Sequence, residues 1–296
     1  GRPAPATAPD AAANPFADLG LPEITVTITE TAIEGAPAEL AAGRYVLAVT
    51  NATEDDDSGI ALGVGFLQPP EGMTGAEFAA MFAPATPEAA AANGEASPPA
   101  DGGDAGPPPW YYETALAGGI DALAGETAYT VLDLTAGEWV LWAEDPTAPQ
   151  PPVPVIVTGD APADPPAPTA DVTITGLEMS FTIEGTLASG PRTIAFTNGG
   201  QQPHFLLLLK VPEGTTVDDF LALAATFGDP AATPPGTLTF DQITDAVSTG
   251  DQSSGVTTWI AADLEAGTYI MVCFILDPET GAPHAMIGMI DVVTVV

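Results

Sequence analysis

Cations are almost missing from this chain. Arg2, Arg44, Arg192 and Lys210 stand against 40 carboxylates, a formal net charge of -36 over 296 residues. Nucleic acid and anionic membrane surfaces both need basic patches, so neither is expected as a partner. Cysteine is nearly missing too. With Cys273 alone no intrachain disulfide can form, and the core must hold without one. Histidine occurs twice, at His204 and His284. No run of 18 apolar residues exists, so no transmembrane segment is expected. A Ser-His-Asp set, a nucleophile elbow, a phosphate-binding loop and a dinucleotide fingerprint are all absent. A start at Gly1 fits a processed N-terminus and equally an arbitrary cut.

What is present is apolar alternation, proline and glycine. The length suits two ordinary domains. Charged residues make up only 15% of the chain, so this is not the composition of a charge-driven disordered protein. Residues 1–20 are Ala/Pro/Asp-rich without periodicity and read as an arm. Ile24, Val26 and Ile28 then alternate with threonines, which marks a strand. Tyr45 to Val49, Ile60 to Leu67, Ala128 to Leu132, Glu138 to Ala143 and Val153 to Val157 read the same way. Thr74 and Glu77 have capping-box spacing and open a short helix through about Phe82. Residues 83–109 form a low-complexity Ala/Pro/Gly flap, too long for an ordinary connection. Trp110-Tyr111-Tyr112 follows it, as a binding platform or as packing. Residues 161–170 are a proline linker.

The second half repeats the first. Val172-Thr-Ile-Thr matches Val26-Thr-Ile-Thr, Thr197-Asn198 matches Thr50-Asn51, and Pro212-Glu-Gly matches Pro70-Glu-Gly. A helix from Val217 to Phe227 follows the second copy of that turn. Gly267-Thr-Tyr matches Gly137-Glu-Trp, and Asp277-Pro278 matches Asp145-Pro146. The expected architecture is all-β: two tandem sandwiches, at 21–160 and 171–296, each with one short helix. The repeat sets His204 against Leu62 and Cys273 against Ala143. The first copy holds neither His nor Cys, so the same scaffold does without these residues.

Singly, each reads as structure: a buried thiol as a small hydrophobe, a lone histidine as a satisfied core residue, a methionine as core. Together, Cys273, His204, His284 and Met289 offer one thiolate, two imidazoles and a thioether. That is the donor set of a mononuclear type 1 copper centre. Gly267-Thr268-Tyr269 before Cys273, then Pro283-His284, Gly288-Met289 and Val293-Thr294-Val295, resemble the C-terminal ligand loop of plastocyanin-type cupredoxins. Asn198 with Pro203-His204 resembles the strand end that carries the first histidine of that family. The resemblance covers roughly Asp171 to Val296, with the first half a degenerate copy. It implies Greek-key sandwiches, one copper ion held by His204, Cys273 and His284 with Met289 as a weak axial ligand, and Asn198 tying the two ligand loops together. The sequence departs from that pattern in one respect: ten residues, 274–283, separate Cys273 from His284, and they are expected to form a protruding turn.

With both histidines claimed, no second copper and no open position is supplied, so an enzyme is not expected. Three functions remain. They are electron transfer with a redox protein partner, copper storage or delivery with a copper donor or acceptor, and a metal-free structural role in an extracellular layer or filament. Self-association through 1–20 and 83–109 belongs to the third. The expected location is extracellular, cell-surface or periplasmic. Asn51-Ala-Thr53 fits a glycosylation sequon, and Glu54-Asp55-Asp56-Asp57 reads as a solvated acidic loop ahead of a calcium site.

Overall fold

Period-two alternation shapes nearly every element. A computed structural model of the chain describes residues 13–54, 61–81, 107–143, 150–226 and 236–296. In the first half β1 (Glu23–Ile28), β2 (Ile33–Glu34), β4 (Gly43–Asn51) and β7 (Thr127–Leu134) form one layer. β3 (Glu39–Ala41), β5 (Leu62–Leu67), β6 (Leu116–Ala122), β8 (Gly137–Ala143) and β9 (Val153–Thr158) form the other, with helix α1 at Gly75–Met81. In the second half β10 (Val172–Leu177), β11 (Ser180–Gly185), β12 (Gly190–Asn198) and β15 (Thr257–Leu264) answer the first layer. β13 (Leu207–Val211), β14 (Thr244–Ser248), β16 (Gly267–Val272) and β17 (Ile290–Val295) answer the second, with helix α2 at Val217–Ala224. The fold is all-β, with two Greek-key sandwiches.

The sandwiches are fused rather than merely tethered. β7 pairs with β15, so the first layers join into one sheet of order β11-β10-β12-β15-β7-β4-β1-β2. Thr130 lies opposite Ile260, with Tyr129 opposite Ala261 and Val131 opposite Trp259. These are equivalent positions of the repeat, so the junction has the self-complementary form of a two-fold dimer contact. Arg44 crosses it. Its guanidinium makes a bidentate pair with Asp133, at 2.8 and 2.7 Å, and sits 4.6 Å from the centre of the Trp259 ring. Its Nη1 also donates to the carbonyls of Pro165 and Pro166, which fixes the proline linker against the sheet.

Register confirms the internal correspondence. β5 pairs Leu67 with Val140, and β13 pairs Leu209 with Ile270. Counting back five residues sets Leu62 against His204, and counting forward three sets Ala143 against Cys273. The Val-Thr-Ile-Thr match is out by two: the parallel pairings align Val172 with Ile24. A shift of two keeps the same face inward, which is why the motif survives it.

Other expectations change. The 1–20 arm is not wholly a spacer. Phe16 is buried against Val46, Ala48, Tyr129 and Val131 on the outer face of the large sheet, a burial that stabilises by roughly 2 kcal/mol. Helix α2 opens on the reciprocal Thr216–Asp219 box and stops at Ala224, short of Phe227. The Thr74–Glu77 box forms as expected. Trp110-Tyr111-Tyr112 is a one-turn 3-10 segment whose rings pack edge-to-face, with Tyr111 buried. Asn51 is 2% exposed, and its amide donates to the carbonyl of Ala122, so the sequon is closed in the folded chain. Residues 1–12, 83–106 of the 83–109 flap, Asp55 to Asp57 and Asp145-Pro146 lie outside the described residues.

Candidate metal centre

Strand alternation aims the cysteine. Tyr269, Met271 and Cys273 share the face of β16 that joins the inter-sheet core, while Ile270 and Val272 face α2. Cys273 lies one residue past the strand end, with its N–H on the carbonyl of Met289. His204 sits before β13 in a two-way backbone bridge with Gln252, at 3.1 and 2.9 Å.

The ten-residue insertion does not push the donors apart, because it is a paired hairpin. Ala285 N–H bonds to Cys273 O, His284 N–H to Ile275 O, and Asp277 N–H to Ala282 O, each at 2.8 Å. Residues added on one side of the ribbon are matched on the other, so Cys273 and His284 stay neighbours. Asp277 closes the tip: its Oδ1 accepts from the N–H groups of Glu279 and Thr280 and from the Thr280 hydroxyl.

Three donors therefore meet. Nδ1 of His204 lies 3.2 Å from Nδ1 of His284, and Sγ of Cys273 lies 3.6 Å from the latter. All three ligand atoms fall within 4.8 Å of one another, and all three residues are 0% exposed. One first-row ion, bonded at about 2.0 Å to nitrogen and about 2.3 Å to sulfur, holds such atoms roughly 3–4 Å apart. The spacing fits one ion shared by the cluster. Met289 is also 0% exposed, and its N–H bonds to His284 O. Its methyl packs over Gly176, where a Cβ would come within 3.1 Å of it.

The tautomer of His284 can be read from its neighbours. Asp277 only accepts, so the amide nitrogen of Gln202, 2.9 Å from its Oδ2, must be the donor there. The Gln202 oxygen then faces Nε2 of His284 at 2.8 Å and requires a proton on it. That leaves Nδ1 bare and aimed into the cluster. The Gln202 amide and the Thr280 hydroxyl hold Asp277 down to about 2, which keeps the carboxylate ionised. Nε2 of His204 has no hydrogen-bond partner; the nearest carboxylate, Glu178, is 4.0 Å away. A side chain at Gly200 would strike both, 2.6 Å from Glu178 and 2.8 Å from His204.

Burial sets the charges. It lowers His204 to about 4, helped by His284 and opposed by Glu178, and it lowers His284 as well. It pushes the Cys273 thiol up to about 12, against N–H groups of Phe205 and Ile275 that point at the sulfur. Without a metal the thiol is protonated and the imidazoles are neutral at pH 7. A folded pKa near 4 against an ordinary 6.5 means the unfolded chain binds more protons between those values. His204 therefore costs stability as pH falls through that window and nothing above it. In the metal-free protein, NMR titration should show His204 neutral down to about pH 4, with its urea-unfolded signal moving near 6.5. A folded midpoint at or above 6.5 would contradict the burial argument.

Asn198 lies beside the cluster but does not touch its imidazoles. It donates to the carbonyls of Gln202 and Gln252, and its counterpart Asn51 donates to Ala122, the counterpart of Gln252. The asparagine is a tie of the fold present in both copies. Gln202 and Asp277 hold His284, and neither was singled out from the sequence. The only signal was the match of Asp277-Pro278 to Asp145-Pro146 in the repeat.

No family model and no curated protein matches the sequence. Among solved structures, a reduced auracyanin from Roseiflexus castenholzii is similar at 22% identity, over 42% of this chain and 94% of its own, with a TM-score of 0.28. A copper nitrite reductase from Nitrosomonas europaea is similar at 11% over 93% of each chain, TM-score 0.24. A blue copper oxidase from the same organism is similar at 12%, over 91% of this chain and 84% of its own, TM-score 0.23. The last two span nearly the whole chain and are enzymes. The expectation that the chain is not an enzyme is corrected on that finding, and no activity is carried over from them. Two joined β-sandwiches make up the described residues, with a fold similar to that of cupredoxins, and the second holds a buried His204–Cys273–His284 cluster whose donors fit a blue copper site.

Proposed function

We infer that the second sandwich binds one copper ion and passes single electrons through it. His204 and His284 would hold the ion by Nδ1 and Cys273 by its thiolate, with Met289 as the distant fourth donor. The working limits are 21–160 for the first sandwich, 161–170 for the linker and 171–296 for the second. The observation that carries the reading is the convergence of three buried soft and borderline donors within 4.8 Å. Thiolate and imidazole select copper over calcium or magnesium. Bound copper supplies one-electron cycling between Cu(I) and Cu(II).

The chain's own part is rigidity and dryness. Backbone bonds fix Cys273, His284 and Met289 to one another, and Gln252 fixes His204. Donors held this way move little when the ion's charge changes. The apolar shell of Met271, Ile275 and Phe196 excludes water and tunes the potential. Met286 and Ile287, on the turn that begins at His284, are 52% and 38% exposed, an apolar rim suited to a redox partner or a copper donor or acceptor. An extracellular, cell-surface or periplasmic setting goes with this reading and with the acidic surface. Among the described residues no helix is long and apolar enough to cross a membrane.

The experiment is copper uptake followed by metal analysis and proton release at pH 7. One ion per chain should be retained, with about one proton released. That proton comes from the thiol raised to about 12, because an imidazole at about 4 has none to lose. No retained copper, or retention without proton release, would count against the assignment.

A further inference from the structure

The sandwich that lacks the cluster reaches over to the one that has it. Its segment 109–118 lies against both ligand loops. Tyr112 Oη donates to the carbonyl of Leu276, 2.8 Å away, at the base of the hairpin tip. Tyr111 donates its hydroxyl to Asp251, whose carboxyl burial pushes up to about 6. Gly118 N–H bonds to Asp251 O, Ser253 N–H bonds to Leu116 O, and Ala117 bridges to Gln252, the residue that fixes the backbone of His204. At Gly118, φ is +84° and a Cβ would lie 2.7 Å from Thr258, so the two halves approach there as only glycine permits.

On the reading that the cluster binds copper, we propose that Tyr112 is a positioning residue for the metal centre, holding the Leu276–Asp277 turn and, through Gln202, the imidazole of His284. The path has three links. Tyr112 bonds Leu276 O. Asp277, the next residue, bonds Gln202. Gln202 bonds Nε2 of His284. Among the described residues an open cleft lined by Pro109, Tyr112, Glu113, Leu276 and Pro278 lies between the turn and the first sandwich. The hydroxyl spans what packing does not fill. The first sandwich, which has no His or Cys of its own, thereby adds a tie to the tip of the hairpin.

The test uses the full chain with Tyr112→Phe, which removes one hydroxyl and keeps the ring. Cu(II) is added, the visible and electron paramagnetic resonance spectra are recorded, and release to a chelator is timed. The variant should bind one copper with thiolate absorption, but with altered band ratios and hyperfine splitting. Its release should be several-fold faster, below the roughly 10–100-fold seen for losing a direct outer-shell partner. Trp139→Phe is the control. It removes the Nε1 bond to Thr135 O in the same sandwich, at 2.8 Å, away from the hairpin. That variant should lose stability with its copper spectrum unchanged. Superimposable spectra and release for Tyr112→Phe and the unmodified protein would overturn the proposal, as would equal spectral shifts in both variants. An unmodified protein that gives no thiolate absorption would sink the copper reading itself and this proposal with it.

Discussion

Replacing Cys273 with serine is expected to abolish thiolate-to-copper absorption and to weaken copper binding by far more than the roughly 10–100-fold typical of an outer-shell loss. The thiolate is the one soft anionic donor in the cluster. Serine offers a hard hydroxyl that stays protonated, so two neutral imidazoles and a thioether would remain. The fold should survive. Serine is close in size, the site is 0% exposed, and the N–H groups of Phe205 and Ile275 that point at the sulfur can donate to a hydroxyl instead. Metal-free Cys273→Ser should therefore melt within a few degrees of the unmodified protein, a difference of about 1 kcal/mol. Visible spectroscopy with and without copper, beside a melting curve, checks both halves. A variant that keeps the absorption would show that the sulfur is not a ligand.

Gln202→Ala should cost the second-largest effect, about 10–100-fold in copper affinity. Gln202 forces the proton onto Nε2 of His284, because its own amide nitrogen is committed to Asp277. Without it His284 can take the other tautomer or rotate, and Nδ1 is no longer presented ready for the metal. Asp277 would also lose the contact that does most to hold it at about 2. Its stabilising effect, complete above its ordinary 3.8 and lost as pH falls to about 2, should then fade at higher pH in the variant. Competition against a copper chelator gives the affinity, and acid unfolding curves give the shift. Affinity unchanged within a factor of two would mean that the His284 backbone alone orients the ring.

How far the sequence foretold these features depends on their range. That Cys273 and His284 come together was legible because they sit close together on a strand end and the turn that follows. His204 was legible because Asn198 with Pro203-His204 resembles a first-ligand strand end, and the internal repeat added a counterpart, Leu62, that is not a histidine. Strand faces followed from alternation, as at Tyr269, Met271 and Cys273. Illegible were the contacts whose partners lie far apart in the chain. Nothing local in 127–134 says that Thr130 will meet Ile260, because a sheet edge carries no address for its partner. Tyr112 gave no hint of Leu276 for the same reason. Gln202 sits among polar loop residues, and its role arises only when the hairpin folds Asp277 back onto it. The exposed turn at the tip of the insertion, 278–281, was legible from loop length, and the cross-ladder pairing behind it was not. Phe16 was hidden by composition: one aromatic in an Ala/Pro arm carries no period, yet it covers an apolar patch built from three strands of both sandwiches, β4, β7 and β15.

The most direct test of the copper centre is titration of the purified, metal-free chain with Cu(II), followed at once by visible absorption and electron paramagnetic resonance. A buried Cys273 thiolate 3.6 Å from Nδ1 of His284 should give intense charge-transfer colour that saturates at one ion per chain, with a single copper signal. A colourless protein with only weak, surface-type copper signals, spread over the many exposed carboxylates, would contradict it.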